Sequence, residues 1–91
     1  MATQVVKKDG SKQPFDSKKI KRAIEGAAQE AGLPDDKVLQ IATEVSGVVT
    51  EWANAQEQVA TSEIKSMILN ELDKVEPNVS AAWRAYEASK A

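Results

Sequence analysis

Lysines dominate the chemistry available near the start of this chain. Lys7, Lys8 and Lys12 surround an Asp9-Gly10 pair, and Lys18, Lys19, Lys21 and Arg22 follow closely. An ammonium group is a compact cation with three donors, well suited to a phosphate oxygen. Histidine and cysteine are absent from all 91 residues. That removes thiolate chemistry, the usual zinc sets and the commonest general base. There is no Walker A loop and no Ser-His-Asp set. The residues therefore favour holding an anion over transforming a substrate.

The elements that would position these lysines are legible. Asp-Gly between short alternating runs predicts a hairpin, with Val5–Lys8 and Ser11–Phe15 as its strands and Met1–Gln4 as a loose end. If Asp9 and Gly10 are the two turn residues, Lys8 faces Ser11, Lys7 faces Lys12 and Val6 faces Gln13. Like charges opposite one another are unfavourable. Pro14 makes the second strand an edge, and Val6 and Phe15 are the expected apolar anchors. A helix then starts at an Asp16 or Ser17 cap. Its first two turns hold Lys18, Lys19, Lys21 and Arg22, where the helix dipole favours acids. Such conflicts with local rules mark functional sites, and a polyphosphate would resolve them. The plain alternative is a solvated basic face.

Charge is distributed unevenly. Up to Arg22 seven cations stand against Asp9 and Asp16, a net of +5, so with −2 overall the remainder carries −7. This asymmetry points to an anionic partner at one end. The acidic remainder argues against a nucleic-acid-coating protein, so nucleic acid is not an expected partner. The apolar fraction of 42% and charged fraction of 29% fit one ordinary folded domain over residues 1–91. No apolar run is long enough to span a bilayer and no signal segment opens the chain, which predicts a cytoplasmic protein.

Downstream, helix periodicity repeats. Ile20, Ala23, Ile24, Ala27, Ala28 and Ala31 form the apolar face of a first helix from about Ser17, stopped by Gly32. On its wheel Lys19 and Lys21 flank the apolar stripe, while Lys18 and Arg22 point away. A second helix from Asp35 or Asp36 carries Val38, Ile41, Ala42, Val45, Val48, Val49 and Trp52. Glu57–Ala60 reads as a third strand, and Thr61 as the cap of a third helix bearing Ile64, Met67, Ile68, Leu72 and Val75. A fourth helix from Pro77 or Asn78 carries Val79, Ala82, Trp83 and Tyr86 as packing residues. The predicted fold is mainly α, a four-helix bundle capped by a small hairpin.

Val5-Val6-Lys7-Lys8-Asp9-Gly10 is close to the V-x-K-R-D-G of the ATP-cone, a nucleotide-sensing regulatory domain of ribonucleotide reductases and some regulators. Phe15-Asp16 followed by Lys19-Ile20 resembles that family's F-D/N-x-x-K-I. Val59-Ala60-Thr61-Ser62-Glu63-Ile64 resembles the opening of its third helix, and Ala82-Trp83-Arg84-Ala85-Tyr86 its aromatic last helix.

The resemblance implies ATP or dATP beneath the hairpin, with Mg²⁺ between phosphates and water. It implies Lys7, Lys8 and Lys19 on the phosphates, Lys65 within reach of them, Asp16 on a ribose or adenine donor, and Thr61 near the base. Val5, Val6, Phe15 and Ile20 read as core residues, with Val5, Val6 and Ile20 the candidates to wall an adenine slot. Lys8 replaces a common arginine and so loses the planar fork. Gln13 replaces an acid. The implied role is a non-catalytic sensor acting in trans on another protein, such as a ribonucleotide reductase or a regulator of nucleotide metabolism, with homo-oligomerisation a further expectation. The Met1 start and complete last helix favour a stand-alone protein over a fragment. The alternative function is a basic-hairpin adaptor for nucleic acid or an acidic protein.

Overall fold

The computed structural model describes residues 4–90. In chain order these form β1 (Gln4–Val6), β2 (Lys12–Pro14), α1 (Ser17–Glu30), α2 (Asp35–Asn54), β3 (Gln58–Ala60), α3 (Thr61–Val75) and α4 (Pro77–Lys90). The expected mainly helical fold with a hairpin and a third strand is what is found. Of the expected loose end, residues 1–3 lie outside the described residues. Gln4 is already in β1, and its N–H bonds Glu57 O at 3.2 Å.

The hairpin register differs by one residue from the expected one. Val6 pairs with Lys12 and Val5 with Gln13. Lys7 N donates to Ser11 O, and Gly10 N donates to Lys7 O, both at 2.9 Å. The loop is thus three residues, Lys8-Asp9-Gly10, closed by Gly10 at φ +86°, a type I turn ending in a left-handed glycine. Asp9 selects it, since its Oδ1 accepts from Ser11 N at 2.9 Å and Ser11 Oγ at 2.6 Å. A two-residue turn is the simpler reading of Asp-Gly, but it leaves this carboxylate without those donors. The predicted Lys7–Lys12 clash consequently does not occur.

The sheet order is β2-β1-β3, with β1 parallel to β3 and Val5 beside Val59. Strand alternation puts Val5, Gln13 and Val59 on one face. Val59 is buried and Val5 packs against the core. Val5, not Val6, is therefore the anchor alongside Phe15; the one-residue slip exchanges the faces.

Beneath the sheet, α1 packs on α2 and α4, and α3 packs on the same two helices. Ile24, Val45, Val49, Ile68, Leu72 and Val79 fill the centre. Asp16 caps α1, accepting from Lys18 N at 3.0 Å. Gly32, at φ +83°, ends it: Gly32 N bonds Gln29 O and Leu33 N bonds Ala28 O, the two bonds of a Schellman stop. The cap of α3 is Ala60, not Thr61, and Glu63 accepts from Ala60 N at 2.8 Å. Three residues expected on apolar faces are more exposed than periodicity implies: Val48, Val75 and Tyr86, the last at 57%.

Candidate functional site

Helix α1 follows β2 and α3 follows β3; β2 and β3 run in opposite directions on either side of β1, so α1 starts past the Gln4 end of β1 and α3 at its Val6 end. Each amino end, with N–H groups unused within the helix and a positive dipole end, follows directly on its own strand. Thr61, first residue of α3, donates its hydroxyl to Val6 O at 3.4 Å. This contact ties β1 to α3 just before Lys7; Thr61 is not the cap because the extended cap position falls on Ala60, one residue earlier. Alternation then sets Lys7 on the bundle side with Val5, whereas Lys8 opens the turn.

One turn along, between α1, α3 and α4, lies a cleft of about 980 Å³, at the upper end of the usual small-molecule range of about 300–1,000 Å³. Helix α1 contributes Ala23, Gly26, Ala27, Gln29 and Glu30; α3 contributes Lys65; α4 contributes Ala82, Trp83, Tyr86 and Glu87. Small residues on α1 face aromatic ones on α4, an arrangement that admits a flat ring. Trp83 is only 9% exposed, and its Nε1 has no hydrogen-bond partner among the described residues.

The expected site residues distribute around this cleft unevenly. Lys65 lines it, one turn after Thr61 on the same face of α3. Lys19 precedes Ala23 by four residues, so it extends the α1 wall toward the sheet. Asp16 is occupied in capping and exposed. Ile20 is buried in the core, which makes it packing. Val6 lies on the outer sheet face with Lys12. Lys7, Lys8 and Lys19 are exposed.

Lys21 separates from Lys19. It joins Lys18 in a second, shallow groove between α1 and α2, beside Gly47 and Thr50. Lys18, expected to point away from the apolar stripe that Lys19 and Lys21 flank, instead shares this groove with Lys21. The two flanks of the stripe meet different neighbours.

Glu30, Tyr86 and Glu87 are not among the residues that the sequence singles out for the site. Ala23 and Gly26 carry a weak signal, small residues beside a helix's apolar stripe. Glu87 carries none, since its partner Lys65 lies on another helix.

The ATP cone domain matches residues 3–90. The chain belongs to the ATP-cone family. Among relatives, an anaerobic ribonucleoside-triphosphate reductase of Salmonella typhimurium is 40% identical over 72 residues, 79% of this chain and 10% of the reductase. A transcriptional repressor NrdR of Carboxydothermus hydrogenoformans is 41% identical over 73 residues, 79% of this chain and 46% of the repressor. The Escherichia coli anaerobic reductase is 38% identical over 72 residues, 79% of this chain and 10% of the reductase. This ATP-cone thus spans a small part of the reductases and just under half of the repressor. A repressor among the relatives removes support from the expectation that nucleic acid is not a partner. Among the described residues no helix is long and apolar enough to cross a membrane.

Proposed function

We propose that this ATP-cone is a regulatory module that binds ATP or dATP, with the base in the α1–α3–α4 cleft and the phosphates among Lys7, Lys8, Lys19 and Lys65. The observation that carries the reading is the Thr61–Val6 contact at 3.4 Å. It makes the lysine-bearing hairpin and the cleft contiguous, since one helical turn, about 5.4 Å, separates Thr61 from Lys65. The amino end of α3, which starts beside Val6, adds positive potential next to Lys7. Magnesium would be held by phosphates and water. Among the described residues no group of three acid, histidine or cysteine side chains could hold a metal ion.

Bound nucleotide regulates only if it favours one state of the hairpin or of an interface over another. The thin hairpin is the element most open to such bias, as a pair of three-residue strands is marginal without support. The controlled object is another protein of nucleotide metabolism or its transcription, acted on in trans or after self-association.

Calorimetry with ATP and with dATP in magnesium tests the reading. Wild type should give saturable binding, and Lys7→Ala with Lys8→Ala should weaken it by about tenfold or more. Equal affinity of the double variant would remove the hairpin from the site. The repressor relative favours a second reading, in which the basic hairpin grips nucleic acid. Displacement of ATP by an oligonucleotide, lost steeply with added salt, would support that one.

A further inference from the structure

We propose that Glu87 is a built-in competitor for Lys65, a counter-charge that lowers the affinity of the cleft for anionic ligands until the ligand takes its place. This rests on the nucleotide reading above and names a determinant of affinity within the same site.

Lys65 Nζ lies 3.3 Å from one Glu87 carboxylate oxygen and 3.4 Å from the other. Both residues line the cleft, α3 supplying the cation and α4 the anion. Glu30 lines it as well. The charged lining among the described residues is therefore two carboxylates against one ammonium, a net −1, where the reading requires a polyanion to come close. Lys65, the cation of that lining, meets an approaching phosphate already neutralised by Glu87. Attraction must come first from Lys7, Lys8 and Lys19 at its margin.

The pair is suited to exchange. Its side chains are 46% and 35% exposed, and exposed pairs of flexible side chains contribute little to stability. It is also not what joins α3 to α4. That joint rests on the buried Ile68 and Leu72 of α3 and Val79 and Trp83 of α4, to which Arg84 and Ser80 on Asp73 add a two-pronged guanidinium contact and a 2.5 Å hydroxyl bond. These two α3–α4 ion pairs thus differ in kind. One is forked and buttressed by a buried serine. The other has a single mobile ammonium shared between two oxygens. When a phosphate reaches Lys65, the ammonium can turn to it while the helices stay joined, and Glu87 is left to solvent beside a like charge. The cost of that juxtaposition is the affinity that Glu87 withholds.

Magnesium-ATP titrated into wild type, Glu87→Gln, Lys65→Ala and the double variant, with calorimetry as readout, separates the cases. Glu87→Gln should bind about fivefold more tightly than wild type, with an unchanged melting temperature. Lys65→Ala should bind more weakly. Adding Glu87→Gln to Lys65→Ala should recover only part of the gain, because the competitor then has no lysine to hold. The gain should shrink at high salt. If Glu87→Gln binds no more tightly than wild type, or only lowers the melting temperature, Glu87 is a surface staple and the inference fails while the nucleotide reading stands. If wild type binds no ATP, both fail together.

Discussion

Arg84 grips Asp73 with both arms of its guanidinium, Nη1 to Oδ1 at 3.1 Å and Nη2 to Oδ2 at 3.0 Å. The buried Ser80 hydroxyl is 2.5 Å from the same Oδ1 and 2.9 Å from Pro77 O. Arg84 first and Ser80 second hold the Asp73 carboxyl at about 2, below its ordinary 3.8. A carboxylate depressed in the folded state stabilises above its unfolded pKa, and that contribution disappears as pH falls through the folded value. Stability should therefore decline between about pH 3.8 and about 2 by a step that Asp73→Asn lacks. Urea midpoints across that window, for both proteins, check this.

Gly10 closes the hairpin at φ +86°, and a Cβ built there meets nothing within 4 Å. The penalty of Gly10→Ala is then purely that of a left-handed backbone, about 1 kcal/mol. Gly10→Asn should cost less, because asparagine tolerates this conformation. Chemical denaturation of the two variants should rank them in that order. Equal losses would mean that the left-handed backbone does not set the cost.

Val59 is the buried residue of β3, 1% exposed, and it lies beside Val5 of the central strand. Val59→Ala should destabilise by about 2 kcal/mol. Because β1 rests on β3, the same change should speed amide exchange at Val5 and Lys7 more than in the centre of α2. Uniform acceleration across the protein would show that the sheet does not open separately from the bundle.

Trp83 buries its ring, yet Nε1 finds no acceptor among the described residues. Trp83→Phe removes an unsatisfied donor along with some packing, so the two effects oppose. The net change should stay within about 1.5 kcal/mol. With Trp52→Phe as background, Trp83 becomes the remaining indole, and ATP should alter its emission if the base enters the cleft. Unchanged emission at saturating, calorimetrically verified ATP would put the base elsewhere.

The helices are readable in the chain because each obeys local rules. Ile20, Ile24, Ala27 and Ala28 recur at helical spacing, Asp16 caps and Gly32 stops, and each of these acts within a few residues. The third strand is readable for a similar reason: Glu57–Ala60 is too short for a helix and precedes a clear helix start. The basic opening motif is equally local, and it carries the most specific part of the family resemblance.

What local reasoning could not decide was set by the assembled neighbours. The hairpin slips by one residue because Asp9 gains two donors from Ser11 only in the three-residue loop, which moves Val5 to the core face and Val6 off it. The cap of α3 falls on Ala60, and the Thr61 hydroxyl meets instead a carbonyl 55 positions earlier. Lys19 and Lys21 part because α4 adjoins one flank of α1 and α2 the other. The pairing of Lys65 with Glu87 exists only because α3 and α4 pack side by side. Periodicity tells which face of a helix is apolar, but which neighbour each edge of that face meets is a property of the assembled bundle.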